Sequence, residues 1–158
     1  MRIVLQEAEN ACVVVDKKVT GAIERGEVVL VGFGFSDDEK VVDRMLDKML
    51  KLRIFPDESG LTNVSLENFG GSVLAVSQFT LYADLSEGNR PSFANCLPKE
   101  KAQLLFSYFS AQLKKRLPTS QFGIFHADMR VTLTNVGPFT ILLDSDALGY
   151  GRRTDHGK

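Results

Sequence analysis

The sequence predicts an α+β domain, in which two main helices pack on a mostly antiparallel sheet that is strongly curved or barrel-like. Three observations lead to this prediction. Short apolar runs separated by turn residues fill the first part of the chain. Two later segments carry apolar residues at helical spacing, and apolar and polar residues alternate near the carboxyl end. The 158 residues fit one domain with a buried core.

The predicted strands begin with a hairpin. Residues 11–15 and 19–23 are rich in apolar residues and flank the polar turn Asp16-Lys17-Lys18. Residues 28–33 are apolar almost throughout, which predicts a buried strand. Residues 72–76 predict another buried strand later in the chain.

Two helices follow from capping residues and periodicity. Ser36 and Glu39 have the spacing of a capping box, so we expect the first helix to begin at Ser36 and to end before Pro56. The second helix should begin near Pro98 and end before Pro118. The first helix has one apolar face, formed by Val41, Val42, Met45, Leu46, Met49 and Leu50.

The domain is predicted to close with a strand pair. Apolar and polar residues alternate over 129–134 and over 139–143, with Gly137-Pro138 between them. These residues alone allow a plain hairpin turn or a special backbone feature, because a bond before proline can be cis and proline cannot donate to a central ladder. We expect residues 1–145 to form the single domain and residues 146–158 to be a loose tail.

Composition excludes several classes of function. A net charge of -1 argues against a dedicated, tight, non-specific nucleic-acid binder. No apolar run is long enough to span a membrane, and charged residues come too early for a signal peptide, so we expect a cytoplasmic protein that does not bind membranes. No residue spacing indicates a metal or a cofactor site. His126 has no evident partner, and a structural role is favoured over general-base catalysis.

Two short segments carry polar groups that the fold alone does not explain. Ser77-Gln78-Phe79-Thr80-Leu81 extends a buried strand with side chains that can form hydrogen bonds, so they face either a ligand or solvent. The second segment, Asn135 to Thr140, contains the Gly-Pro pair.

Together these segments resemble the D-aminoacyl-tRNA deacylase (D-tyrosyl-tRNA(Tyr) deacylase) family over nearly the whole chain. The family's Ser-Gln-Phe-Thr-Leu hallmark is present as residues 77–81, and its Asn-x-Gly-Pro-x-Thr hallmark as residues 135–140. Further matches in the family's order are Leu52-Arg53-Ile54-Phe55, Gly88-Asn89-Arg90-Pro91-Ser92-Phe93 and Ala127-Asp128-Met129.

The resemblance implies a homodimer that proofreads translation by hydrolysing the ester between a D-amino acid and the terminal adenosine of tRNA. It implies that Gly137-Pro138 is cis and enters the partner's pocket as a chiral gate, which excludes L side chains and lets glycine pass. We expect backbone N–H groups around Phe79 and Thr80 to stabilise the oxyanion, while the Thr80 hydroxyl positions groups. The expected catalytic segment is completed by Ser77 and Gln78, and the expected substrate-binding residues are Phe125, Met129, Asn135, Gly137 and Pro138.

Three residues depart from patterns common in the family: Glu7 where many members have arginine, His126 and Val136. All three lie on or near the expected pocket. They leave open a homologue with relaxed chirality, or a dimer that binds tRNA with little activity. A dimer that acts only as a scaffold is a further alternative.

Overall fold

A five-stranded mixed sheet forms the centre of the protein, whose computed structural model describes residues 1–151. The strands are β1 (Arg2–Val15), β2 (Lys18–Gly32), β5 (Ser72–Ser77), β6 (Gln121–Phe122) and β7 (Arg130–Asp144). Their order in the sheet is β6-β5-β2-β1-β7. β1 is antiparallel to β2 and β7, whereas β5 is parallel to β2 and β6. A separate two-stranded sheet pairs β3 (Arg53–Pro56) with β4 (Thr62–Ser65).

The first two strands are longer than the sequence predicts. β1 and β2 pair antiparallel from Arg2 opposite Gly32 to Val15 opposite Lys18. The predicted hairpin and the predicted buried strand at residues 28–33 therefore belong to one strand pair. The polar residues 24–27 hide this continuity in the sequence, although they are part of β2.

The helices are α1 (Glu39–Lys51), the short α2 (Leu66–Phe69) and α3 (Lys99–Arg116). The predicted capping box at Ser36 is wrong, because Asp38 is the N-cap of α1 and its carboxylate accepts a hydrogen bond from the Val41 N–H at 3.0 Å. α3 begins directly after Pro98, as predicted.

The core occupies both faces of the sheet. The larger cluster lies between the sheet and the helices and includes Ile3, Leu5, Val29, Val31, Val42, Met45, Leu46, Phe109 and Leu113. The smaller cluster on the other face contains Ala8, Ala11, Val13, Ile23, Val28, Leu74 and Val76. Within the described residues no helix belongs to the smaller cluster, and the partly buried side chains that pack against it come from β1, β2, β7 and Met129 of the loop before β7. The predicted α+β class with a curved, mostly antiparallel sheet is confirmed.

The chain after β7 makes specific contacts as far as it is described. The Tyr150 N–H donates to the Ser145 carbonyl at 2.7 Å, and the side chains of Leu148 and Tyr150 pack against the larger core cluster. Residues 152–158 of the predicted tail lie outside the described residues, and the domain boundary at residue 145 stays a prediction. In the described part of the chain, no helix is long and apolar enough to cross a membrane.

Candidate functional site

The candidate site is a cavity of about 620 Å³ at the carboxyl ends of β2 and β5. These strands are parallel neighbours, so their carboxyl ends meet at the same edge of the sheet. Chain segments from both sides of α3 close the cavity around that edge. Its lining includes Val31, Gly32, Phe33, Val76, Ser77, Gln78, Phe79, Cys96, Leu97, Lys99, Ala102, Phe125, His126, Asp128, Met129 and Val131.

The first predicted segment turns away from the sheet instead of prolonging the strand. β5 ends at Ser77, and residues Phe79–Tyr82 form a 3₁₀ helix. The Gln78 N–H donates to the Val31 carbonyl at 2.7 Å, next to the last residue of β2. A Cβ atom on Gly32 would lie 2.7 Å from the Gln78 carbonyl oxygen, so only glycine permits this close approach. The turn therefore brings the polar segment to the cavity wall.

Short-range contacts hold the segment in place. The Gln78 side-chain amide donates to the Thr80 hydroxyl, and the Phe79 ring packs edge-on against Phe93 with 5.0 Å between the ring centroids. The Cys96 thiol donates to the Phe79 carbonyl at 3.3 Å. Burial raises the pKa of the Cys96 thiol, which argues against an activated thiolate nucleophile. Cys96 therefore supports the segment.

Arg2 fixes the far end of the 3₁₀ helix. Its guanidinium donates to the Leu81 carbonyl at 2.8 Å and to the Asp144 carboxylate at 2.9 Å. The same group lies over the Tyr82 ring, 4.7 Å from its centroid. The segment next to the cavity is thus connected to the ends of β1 and β7.

The opposite wall comes from the loop before β7. Phe125 and Met129 line the cavity there, together with His126, which has a left-handed backbone (φ 64°). Such a backbone is uncommon for a residue other than glycine, and residues of this kind are often found at functional sites. Lys99, at the start of α3, adds a cationic side chain to the lining.

The second predicted segment is an excursion from a strand, so the predicted strand pair is wrong and, of the two alternatives at Gly137-Pro138, the plain hairpin turn does not occur. Residues 130–144 form the single strand β7, which pairs with β1 on both sides of the Gly-Pro pair. Gln6 is opposite Thr140 and Ala8 is opposite Asn135, so four residues of β7 face Glu7 alone. We call these residues, Val136 to Phe139, the excursion.

Asn135 holds the two ends of the excursion together. Its side-chain oxygen accepts from the Phe139 N–H at 2.8 Å, and its side-chain nitrogen donates to the Thr140 hydroxyl at 2.8 Å. Gly137 has a positive φ of 121°, which strongly favours glycine. The Gly137-Pro138 bond is cis, and both residues are exposed.

The predicted site residues fall into two groups. Ser77, Gln78, Phe79, Phe125 and Met129 line the cavity. Thr80 contacts Gln78 but does not belong to the cavity lining. Asn135, Gly137 and Pro138 lie on β7, outside the cavity lining that the described residues form. Cys96 and Lys99 also line the cavity but are not predicted from the sequence, because neither belongs to a recognisable motif there. Among residues 1–151 there is no group of three side chains that could hold a metal ion.

Comparison with known proteins covers both groups of residues. A family model described as D-Tyr-tRNA(Tyr) deacylase matches residues 4–144. This chain belongs to that family. The match includes residues 77–81 beside the cavity and the excursion, so both are parts of a D-Tyr-tRNA(Tyr) deacylase domain.

Curated relatives in the D-Tyr-tRNA(Tyr) deacylase family are similar over nearly their whole length. A D-aminoacyl-tRNA deacylase of Lactobacillus delbrueckii subsp. bulgaricus is 46% identical over 144 residues, which cover 91% of this chain and 99% of the relative. A D-aminoacyl-tRNA deacylase of Koribacter versatilis is 47% identical over 145 residues, covering 92% and 97%.

Solved structures show the same fold. A structure titled "c-Myc DNA Unwinding Element Binding Protein" superposes with a TM-score of 0.87 at 38% identity, covering 92% of this chain and 99% of the other. A probable eukaryotic D-amino acid tRNA deacylase has a TM-score of 0.79 at 17% identity, covering 90% and 97%, and supports the fold alone.

Proposed function

We propose that this protein hydrolyses the ester bond of D-aminoacyl-tRNA and so removes D-amino acids from tRNA in the cytoplasm. The observation that carries the proposal is the cavity at the carboxyl ends of β2 and β5, because the polar segment Ser77 to Phe79 forms one of its walls. Membership of the D-Tyr-tRNA(Tyr) deacylase family and the names of the curated relatives support this substrate class.

The proposed chemistry needs no side-chain nucleophile. Water adds to the ester carbonyl and gives up one proton, the bond between the carbonyl carbon and the ribose oxygen breaks, and the ribose oxygen takes up one proton and leaves as a hydroxyl. The neighbouring ribose hydroxyl assists the attack of water. An aminoacyl ester is already activated, so the protein has to orient it and to stabilise the negative charge that develops on the carbonyl oxygen.

The proposed oxyanion donors are the backbone N–H group of Phe79, which lines the cavity, and the backbone N–H group of Thr80, the next residue along the segment. They begin a 3₁₀ helix, and the first N–H groups of a helix have no acceptor within it. One well-placed donor of this kind contributes about 3–4 kcal/mol to transition-state stabilisation. The Gln78 to Thr80 hydrogen bond and the Cys96 to Phe79 hydrogen bond support the donors' position.

The proposed gate comes from the partner subunit of a homodimer. Gly137 and Pro138 are exposed on β7, an edge strand of the sheet, and lie outside the cavity lining of their own chain. Two apolar side chains of the same strand are exposed, Val131 at the cavity and Leu142 near the end of β7, and in the proposed dimer a second copy covers this strand. In the proposed arrangement Gly137-Pro138 lies beside the amino acid's α-carbon, where it excludes L side chains and admits glycine.

Release of tyrosine from D-Tyr-tRNA and from L-Tyr-tRNA tests the proposal. We expect fast release from the D substrate, slow release from the L substrate, and release of glycine from mischarged Gly-tRNA. Release of both enantiomers at similar rates would contradict the gate and support relaxed chirality. Absence of release from either ester would contradict the proposed hydrolase.

A second candidate is a dimer that binds nucleic acid and has little hydrolytic activity. Similarity to a solved structure described as a DNA unwinding element binding protein, at 38% identity, favours this alternative. Binding of D-Tyr-tRNA without release of the amino acid would support it.

A further inference from the structure

A buried carboxyl group without a partner lies in the middle of the sheet. Glu27 of β2 is 0% exposed, and neither of its carboxyl oxygens has a hydrogen-bond partner among the described residues. Its neighbours in the ladder are Glu7 of β1, 5% exposed, and Val73 of β5, 0% exposed. Burial and then the charge of Glu7 raise the pKa of Glu27 to about 8, so Glu27 carries a proton at neutral pH.

The positive charge near Glu27 belongs to Arg25, which already pairs with two other carboxylates. The Arg25 guanidinium lies 3.7 Å from the Glu7 carboxylate and 3.5 Å from the Glu9 carboxylate, and it covers the Phe69 ring of α2 at 4.8 Å. Among residues 1–151 no ion pair connects Arg25 to Glu27. A charge on Glu27 would therefore face Glu7 without a counterion.

Glu7 also lies at the base of the excursion. It is the residue of β1 between the two pairs that bracket the excursion, Gln6 with Thr140 and Ala8 with Asn135. On its other side Glu7 is directly opposite Glu27. The strand that carries Glu7 thus connects the buried carboxyl group to the base of the excursion.

We propose that Glu7 and Glu27 form a proton-dependent positioning pair that holds the excursion in place. With Glu27 neutral, Glu7 keeps its contact with Arg25 and β1 keeps its path past the excursion. When Glu27 ionises, like charges on directly opposed residues push β1 and β2 apart at this point. The excursion then loses its fixed position. The expected functional result rests on the proposed function, in which Gly137-Pro138 is the chiral gate.

The selectivity of hydrolysis as a function of pH tests this pair. We would measure kcat/KM for D-Tyr-tRNA and L-Tyr-tRNA from pH 6.5 to 9, corrected for spontaneous hydrolysis. The D-to-L ratio should fall about tenfold between pH 7 and pH 9, which is the change in the protonated fraction of a group that titrates near pH 8. Glu27→Gln is uncharged at every pH and should keep its ratio. The matched control Glu24→Gln, at an exposed position of the same strand, should follow the wild type.

Two measurements are independent of activity. The carboxyl carbon of Glu27, followed by NMR, should titrate near pH 8. The Phe139 amide, which donates to Asn135, should lose protection from hydrogen exchange with the same midpoint in the wild type and keep it in Glu27→Gln. Titration of Glu27 near 4.5, or the same alkaline loss of protection in Glu27→Gln, would overturn the pair. If D-Tyr-tRNA is not hydrolysed at any pH, the proposed function fails while these two measurements still decide about the pair.

Discussion

At the scale of single residues, variants of Thr80 test whether its hydroxyl positions other groups or takes part in the hydrolysis. Its hydroxyl accepts a hydrogen bond from the Gln78 side-chain amide and so contacts the segment itself, whereas the proposed oxyanion donor is its backbone N–H group. We expect Thr80→Ala to lower kcat/KM for D-Tyr-tRNA by about tenfold at most, because a lost positioning hydrogen bond is worth roughly 1 kcal/mol. Thr80→Ser keeps the hydroxyl and should stay near the wild-type rate. An alanine variant that binds tRNA normally but has no turnover would show that the hydroxyl takes part in the reaction.

Glu27 makes the stability of the fold depend on pH. The pKa of Glu27 is about 8 in the folded protein, against 4.5 for the free group, so the folded state holds this proton more tightly than the unfolded state. The stability that the neutral group allows is fully present below pH 4.5 and is lost progressively as the pH rises towards 8. Glu27→Leu should therefore raise the free energy of unfolding by on the order of 3 kcal/mol at pH 7, and by much less at pH 5.

Denaturant unfolding of Glu27→Leu and of the exposed control Glu24→Leu, each at pH 5 and pH 7, checks this expectation. The control should change by less than about 0.5 kcal/mol at either pH. An equal gain for Glu27→Leu at both pH values would show that folding does not raise the pKa of Glu27.

Residues could be predicted from the sequence where their polarity contradicts their surroundings. Ser77 and Gln78 follow a buried apolar strand, so their polar groups are conspicuous, and both reach the cavity. Glu27 gives the opposite result. It belongs to a polar stretch between two apolar runs and looks like an exposed residue, yet it is fully buried. Only the pairing of β1 with β2 and of β2 with β5 places it inside.

At the scale of structural elements, Asn135 tests whether the excursion needs a fixed base. Its side chain accepts from the Phe139 N–H and donates to the Thr140 hydroxyl. Asn135→Ala should cost about 1–2 kcal/mol of stability and should lower the D-to-L ratio more strongly than it lowers kcat for the D substrate. Asn135→Asp keeps the acceptor for Phe139 and serves as the control, with a smaller loss of selectivity. Equal selectivity in all three proteins would contradict a gate that is positioned by Asn135.

Helices and strands are predictable where apolar residues recur at one regular spacing through the whole segment. The apolar face of α1 and the start of α3 after Pro98 follow directly from the sequence. The start of α1 does not follow from the sequence, because three consecutive residues, Ser36 to Asp38, have side chains that can accept a hydrogen bond from the first N–H groups of a helix. Asp37 bonds the Gly34 N–H at 2.7 Å, and Asp38 becomes the N-cap. The sequence predicts two strands in place of β7, because the four unpaired residues of the excursion interrupt the alternation of apolar and polar residues.

At the scale of the whole molecule, subunit mixing tests whether the gate acts on the partner's pocket. Pro138→Ala alters the gate and leaves the cavity intact, whereas Ser77→Trp fills the cavity and leaves the gate intact. In a mixed dimer, the intact cavity of the first variant receives the intact gate of the second. We expect subunit exchange to raise the D-to-L ratio above that of Pro138→Ala alone at the same concentration.

Sedimentation of the mixture should show dimers before and after exchange, and Pro138→Ala mixed with more of itself is the control. An unchanged ratio in exchanged dimers would place the gate within its own subunit. Monomeric protein at working concentrations would contradict the proposed dimer.

The α+β class was predictable because it depends on patterns repeated along the whole chain. The parallel pairing of β5 with β2 was not, because strand order depends on contacts between distant segments. That pairing brings the carboxyl ends of two strands together and so creates the cavity. The family resemblance predicts which residues matter, whereas the sequence pattern alone does not show that Ser77, Phe125 and Met129 line one cavity.

The excursion also affects how such a protein can evolve. It leaves β7 and returns to it opposite a single residue of β1, and the pairing of the two strands continues on both sides. Substitutions, or a change in length, within these four residues leave the remainder of the β1–β7 ladder in register. If the excursion is the gate that we propose, natural variation at this point can alter stereochemical stringency while the hydrophobic core and the cavity are inherited unchanged.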